Sequence, residues 1–156
     1  MSREVNKKRF YVCIMSKTQI QEWAEQLFEA WNSYDVQRVL DMYHNDFVRE
    51  DLGNHKLYSK EELGKTVQAY ITGIPDIQYR IEKLIGCNNQ VTICWRAIGH
   101  HRGKIMNIPP TGKLINITGV SVIEVLDDKI SRVWYQWDQA TMLRQMGLLP
   151  ELRKAV

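Results

Sequence analysis

The sequence predicts an α+β domain: three helices, an antiparallel meander of strands, and a short closing helix. Three observations carry that reading. Apolar residues recur at steps of three and four as far as Ile71, the period drops to two from Ile77 onward, and a helical signal returns after Trp137. A chain of 156 residues, 44% apolar, suits one such domain, which buries roughly 70% of the surface its unfolded form exposes.

The elements follow in order. Ile20, Trp23, Ala24, Leu27, Phe28 and Trp31 line one face of a helix from about Thr18 to Ser33. Asp35 caps a second, short helix whose Val36, Val39, Leu40 and Tyr43 turn inward and which ends at Asn45-Asp46. Glu50 and Asp51 then fall in a segment with two readings: a solvated turn, or polar pocket residues with Arg49 orienting one of them. Ser59 and Glu62 form a capping box, and Leu63, Val67, Tyr70 and Ile71 continue a third helix until Gly73 and Pro75 end it.

Ile77, Tyr79, Ile81 and Ile85 alternate with polar residues, as in a strand with one buried face, and Asn88-Asn89 turns it back. Val91, Ile93, Trp95, Ala97, Gly99 and His101 share one face of the next strand, and Thr92, Cys94, Arg96, Ile98 and His100 the other. Strands at about Lys113–Val125 and Lys129–Trp137 meet at Asp127-Asp128, and a helix follows from Gln139 to Met146. Residues 15–150 read as one domain, with 1–14 as a disordered or upstream extension, Met15 as an alternative start, and 151–156 as a tail.

The +3 formal charge comes entirely from Arg3, Glu4, Lys7, Lys8 and Arg9, so the body is neutral. A neutral body without a basic stripe excludes nucleic acid as the expected partner. The apolar run after Arg9 is too short for a signal peptide and every other run too short to span a bilayer. Cys13, Cys87 and Cys94 are odd in number and lack metal or redox spacing, which predicts reduced thiols and a cytoplasmic location. No metal is expected either: His100 and His101 lie on opposite faces, and His44 and His55 lie in loops without carboxylates at ligand spacing.

Gly99-His100-His101-Arg102-Gly103, the Ile108–Gly112 turn, the hairpin from Val120 through Asp127-Asp128-Lys129-Ile130, and Asp138 ahead of Leu143-Arg144-Gln145-Met146-Gly147 together carry a family likeness. Over residues 18–150 the chain resembles the SnoaL-like polyketide cyclases of the nuclear-transport-factor-2-like superfamily. The resemblance implies a cone-shaped, curved antiparallel sheet around a pocket covered by the N-terminal helices, in a homodimer packed through the outer sheet face. It also implies cofactor-free chemistry: relatives include ring-closing aldolases, isomerases and hydroxylases. The acid/base aspartate of the cyclases lies three positions before the aspartate matched here by Asp138, a place held by Tyr135. Their pocket histidine is matched by Ser121.

Within that frame Asp138 is the candidate base, its carboxyl desolvated by Trp137, and the competing reading is a helix N-cap. Tyr135 shares a face with Val133 and Trp137 and is a candidate donor to a carbonyl or enolate, or a core tyrosine. His101 is a candidate oxyanion donor or a satisfied structural histidine. Ser121, Trp137, Trp95 and Asp51 are candidate substrate contacts, and Met106 with Ile105 and Ile108 a candidate flap at the pocket mouth. Trp134 and Arg96 belong to the opposite face, where a second subunit would cover them. The expected function is cofactor-free aldol-type cyclisation or isomerisation of a hydrophobic, carbonyl-containing substrate. Two alternatives accompany it: a binding protein with the same cavity, and an epoxide or ester hydrolase using Asp51 with Arg49.

Overall fold

The computed structural model describes residues 15–52 and 56–151. The expected extension at 1–14, Cys13, His55 and residues 152–156 of the tail lie outside the described residues. Helix α1 (Lys17–Asn32) is opened by a capping box between Ser16 and Gln19, and it buries Ile20, Trp23, Ala24, Leu27 and Ala30. Each large apolar side chain on that face contributes roughly 1.5–3 kcal/mol. Asp35 caps α2 (Val36–Asp41), its carboxylate accepting from the backbone N–H groups of Gln37 and Arg38. Ser59 and Glu62 form the expected box at the head of α3 (Lys60–Gly73).

The strands are β1 (Tyr43–Asp51), β2 (Lys56–Tyr58), β3 (Gln78–Cys87), β4 (Gln90–His100), β5 (Leu114–Leu126) and β6 (Lys129–Trp137), and α4 (Gln139–Gln145) closes the chain. They form one mixed sheet of order β2-β1-β6-β5-β4-β3. The meander β3 to β6 has the expected antiparallel pairings.

The segment after α2 corrects the sequence reading. Tyr43 opens β1 rather than closing α2, and β1 runs parallel to β6 with Asp51 opposite Tyr135. The solvated turn expected around Asp51 is therefore an inner strand, and Asp51 is only 3% exposed. Tyr43, Phe47, Arg49 and Asp51 alternate inward, but two of the four are charged, so the period-2 apolar signal is lost.

One apolar cluster joins α1, α3 and the inner faces of β4, β5 and β6; a second joins Ile74, Ile77, Ala97, Ile105, Ile115, Ile117, Met142 and Met146 near α4. Trp95 packs against both. It lies across Gly119, its partner on β5, where an added Cβ would overlap the indole. Among the described residues no helix is long and apolar enough to cross a membrane.

Candidate functional site

The inner face of the sheet and the helices α1 and α3 line a cavity of about 130 Å³. Its wall is mainly aliphatic and aromatic, and Trp31, Tyr43, Arg49, Tyr70, Tyr79, Trp95, Ser121, Tyr135 and Trp137 supply most of the polar groups. Tyr79 stands edge-on between Trp31, at 5.2 Å between ring centroids, and Trp95, at 6.3 Å. Tyr70 meets Trp137 edge-on at 6.5 Å. The Trp95 indole N–H donates to Ser121 Oγ at 3.0 Å, which fixes the ring and leaves the Ser121 hydroxyl proton available.

At the β1–β6 wall the chain places a cation, a phenol and a carboxylate together. Tyr135 Oη donates to Asp51 Oδ2 at 3.0 Å. The Arg49 guanidinium lies 4.3 Å from the Tyr58 ring centroid and 4.7 Å from that of Tyr135, in cation–π contact with both. Arg49 is only 8% exposed, and its Nε has no hydrogen-bond partner among the described residues. Neighbouring register positions on parallel strands deliver the group: Arg49 lies opposite Val133 and Asp51 opposite Tyr135.

Burial decides the protonation of the phenols. It pushes Tyr43 up to about 12, against the Trp31 hydrogen bond and the Arg49 charge, and Tyr70 up to about 12, with Arg49 opposing and Asp51 adding. Burial likewise holds Tyr79 and Tyr135 well above the ordinary phenol value; Arg49 opposes the shift in Tyr135 and Asp51 reinforces it. All four are neutral donors at physiological pH.

The remaining sequence candidates lie elsewhere. Asp138 is exposed, is absent from this lining, and caps α4: its carboxylate accepts from the Thr141 backbone N–H at 2.8 Å and from the Thr141 hydroxyl at 2.6 Å. Those two bonds hold its carboxyl below the usual range, opposite in direction to the desolvation expected from Trp137. His101 is fully buried but also absent from the lining. Its Nδ1 accepts from the Thr111 backbone N–H at 3.3 Å and lies 3.0 Å from Thr111 Oγ1. That acceptor role puts the proton of the neutral ring on Nε2, and burial lowers its pKa.

Met106 is 58% exposed at the tip of a tight turn closed by paired backbone hydrogen bonds between Ile105 and Ile108. Ile105 is buried in the core, so the segment expected as a flap is anchored at its base. Of the candidates, Tyr135, Ser121, Trp137 and Trp95 face the cavity, and Asp51 stands one hydrogen bond behind Tyr135. Tyr70 and Tyr79 line the cavity although sequence reasoning placed them only on the buried faces of their elements, and Arg49, expected only as the partner of a neighbouring carboxylate, lines it as well. The available signal was tyrosine recurring on the inward positions of α3 and β3.

A family model described as SnoaL-like polyketide cyclase matches residues 21–146. Among solved structures the chain is similar to AclR, "a putative hydroxylase" from Streptomyces galilaeus, at 20% identity and TM-score 0.81, covering 89% of this chain and 87% of that one. IdmH, "a putative polyketide cyclase" from Streptomyces antibioticus, shares 25% identity at TM-score 0.73, covering 83% of this chain and 99% of that one. A "putative polyketide cyclase" from Bacillus cereus shares 22% identity at TM-score 0.71, covering 87% of each chain. No curated protein matches. With the family match spanning most of the chain and the α+β fold shared by these structures, the protein belongs to the SnoaL-like polyketide cyclase family.

Proposed function

We propose that the protein is a cofactor-free small-molecule enzyme that moves a proton next to a carbonyl, in an aldol-type cyclisation or isomerisation of a hydrophobic, polyketide-like substrate. The observation that carries the reading is the Tyr135–Asp51 hydrogen bond at the cavity wall. Tyr135 Oη accepts the substrate α-proton while its own proton passes to Asp51 Oδ2. The electron pair of the broken C–H bond moves into the enolate, whose oxygen accepts hydrogen bonds from the neutral phenols. One well-placed donor of that kind is worth roughly 3–4 kcal/mol.

The test follows α-proton exchange of 2-tetralone, a bicyclic ketone, in deuterium oxide by NMR. The wild type accelerates exchange, and Tyr135→Phe and Asp51→Asn each lower the rate about 10²-fold. A second reading is a binding protein, favoured because the cavity lining contains no carboxylate or imidazole among the described residues. Binding of the ketone without any acceleration of exchange selects that reading and removes the first.

The proposal extends to a homodimer through the outer sheet face, where Arg132 stacks on Trp134 at 5.3 Å and Val120 is exposed. A sedimentation run at micromolar concentration showing only the 18.4 kDa species would refute it.

A further inference from the structure

We infer that the cavity's ligand carries a carboxylate, and that this group pairs with the guanidinium of Arg49. The inference rests on the cavity being the ligand site and specifies the chemistry of what enters it. Arg49 is more than nine-tenths buried, lines the cavity, and has an Nε–H without an acceptor. A buried donor left unmet costs roughly 1–3 kcal/mol, more when it is charged. No carboxylate among the described residues forms an ion pair with this guanidinium, so a guest anion at the cavity wall would supply the missing countercharge.

The surroundings narrow the class. The Tyr58 and Tyr135 rings both pack against the guanidinium, and a π face accepts no in-plane N–H, so the N–H groups remain for a guest. An in-plane edge with two parallel N–H groups matches the two oxygens of a carboxylate, and a single neutral carbonyl oxygen meets only half of it. The other polar groups that line the cavity add donors: Tyr70, Tyr79 and Ser121 each carry a hydroxyl proton. Asp51 lies two positions along the same strand, about 7 Å away along the chain, and already accepts from Tyr135. A guest with an apolar body and one carboxylate fits a greasy, donor-rich chamber with one cation; a guest with an ammonium group does not.

The experiment compares 3-phenylpropanoate with 3-phenylpropanamide near neutral pH, read by tryptophan fluorescence because Trp31, Trp95 and Trp137 line the cavity. An apolar chamber without a cation prefers the neutral amide, since an unpaired buried charge is costly. The expected result is the reverse: the acid binds about tenfold or more tightly than the amide, and the preference persists at about 0.5 M salt, where surface charges are screened. Arg49→Met binds the amide more tightly than the acid, and Arg49→Lys keeps a weakened preference for the acid. Equal affinities, a preference for the amide in the wild type, loss of the acid preference in salt, or its survival in Arg49→Met would each overturn the inference. The wild-type comparison stands even where Arg49→Met does not fold. If neither compound perturbs the tryptophans, the cavity is no ligand site, and the proposed function falls together with this inference.

Discussion

The two ends of the sheet hold polar side chains of similar kinds and use them differently. At the β4–β5 end, His101 accepts a hydrogen bond from the Thr111 backbone, and past the end of β6 Asp138 accepts one from that of Thr141. At the β1–β6 wall, Tyr135 and Asp51 bond each other and Arg49 packs against two rings with its Nε unmet. Residue type does not separate the two groups. What separates them is position: the buried Nε2 of His101 is also without a partner but lies away from the cavity, whereas Arg49 and Tyr135 line it.

The comparison can be broken most sharply at Asp51. Removing the buried carboxylate leaves the Tyr135 hydroxyl without its acceptor, so Asp51→Ala should cost about 1.5–3 kcal/mol in urea unfolding. A loss below about 1 kcal/mol would mean the wall is solvated and not a buried polar group. Gly119→Ala comes next: the added methyl displaces the Trp95 ring, costs about 1–3 kcal/mol, and shifts tryptophan emission. An unchanged spectrum would show that the indole does not rest on Gly119.

The capping end should respond more weakly. Asp138→Ala is expected to cost about 1 kcal/mol and Asp138→Asn only a few tenths, with ketone exchange unchanged in both. A large fall in exchange with Asp138→Asn would return that carboxylate to the chemistry. The smallest effect concerns His101. Its folded-state pKa is lowered by burial, so the unfolded chain binds more protons around the ordinary histidine value of about 6.5. Stability is therefore full above that value and declines as pH falls below it. His101→Gln should flatten this dependence between about pH 5 and 7, and a melting profile identical to the wild type would show that His101 is not the group responsible.

Helix positions and caps were legible because their signals are local: Asp35, Ser59 with Glu62, and the α1 stripe each act within one or two turns. The β3 to β6 meander was legible because its apolar alternation repeats on successive strands joined by short turns. Strand β1 was not, since its pairing partner β6 lies about eighty residues on, as the Asp51–Tyr135 match shows, and its inward positions include Arg49 and Asp51. For the same reason the site was half visible. Tyr135, Ser121, Trp95 and Trp137 followed from strand alternation, but Arg49 needed the parallel pairing.

By itself the sequence determined the α+β class, the family, and most of the inward residues of the meander, because period and capping are properties of neighbours in the chain; Ile85 is the exception, turned outward by the bulge after Ile81 in β3, where Leu84 packs inward instead. Only the tertiary structure decided which polar side chains line the cavity and which are held at turns and helix ends. A hydrogen bond is a matter of distance in space, and His101, Asp138, Arg49 and Asp51 find their surroundings only once the sheet has been assembled around them.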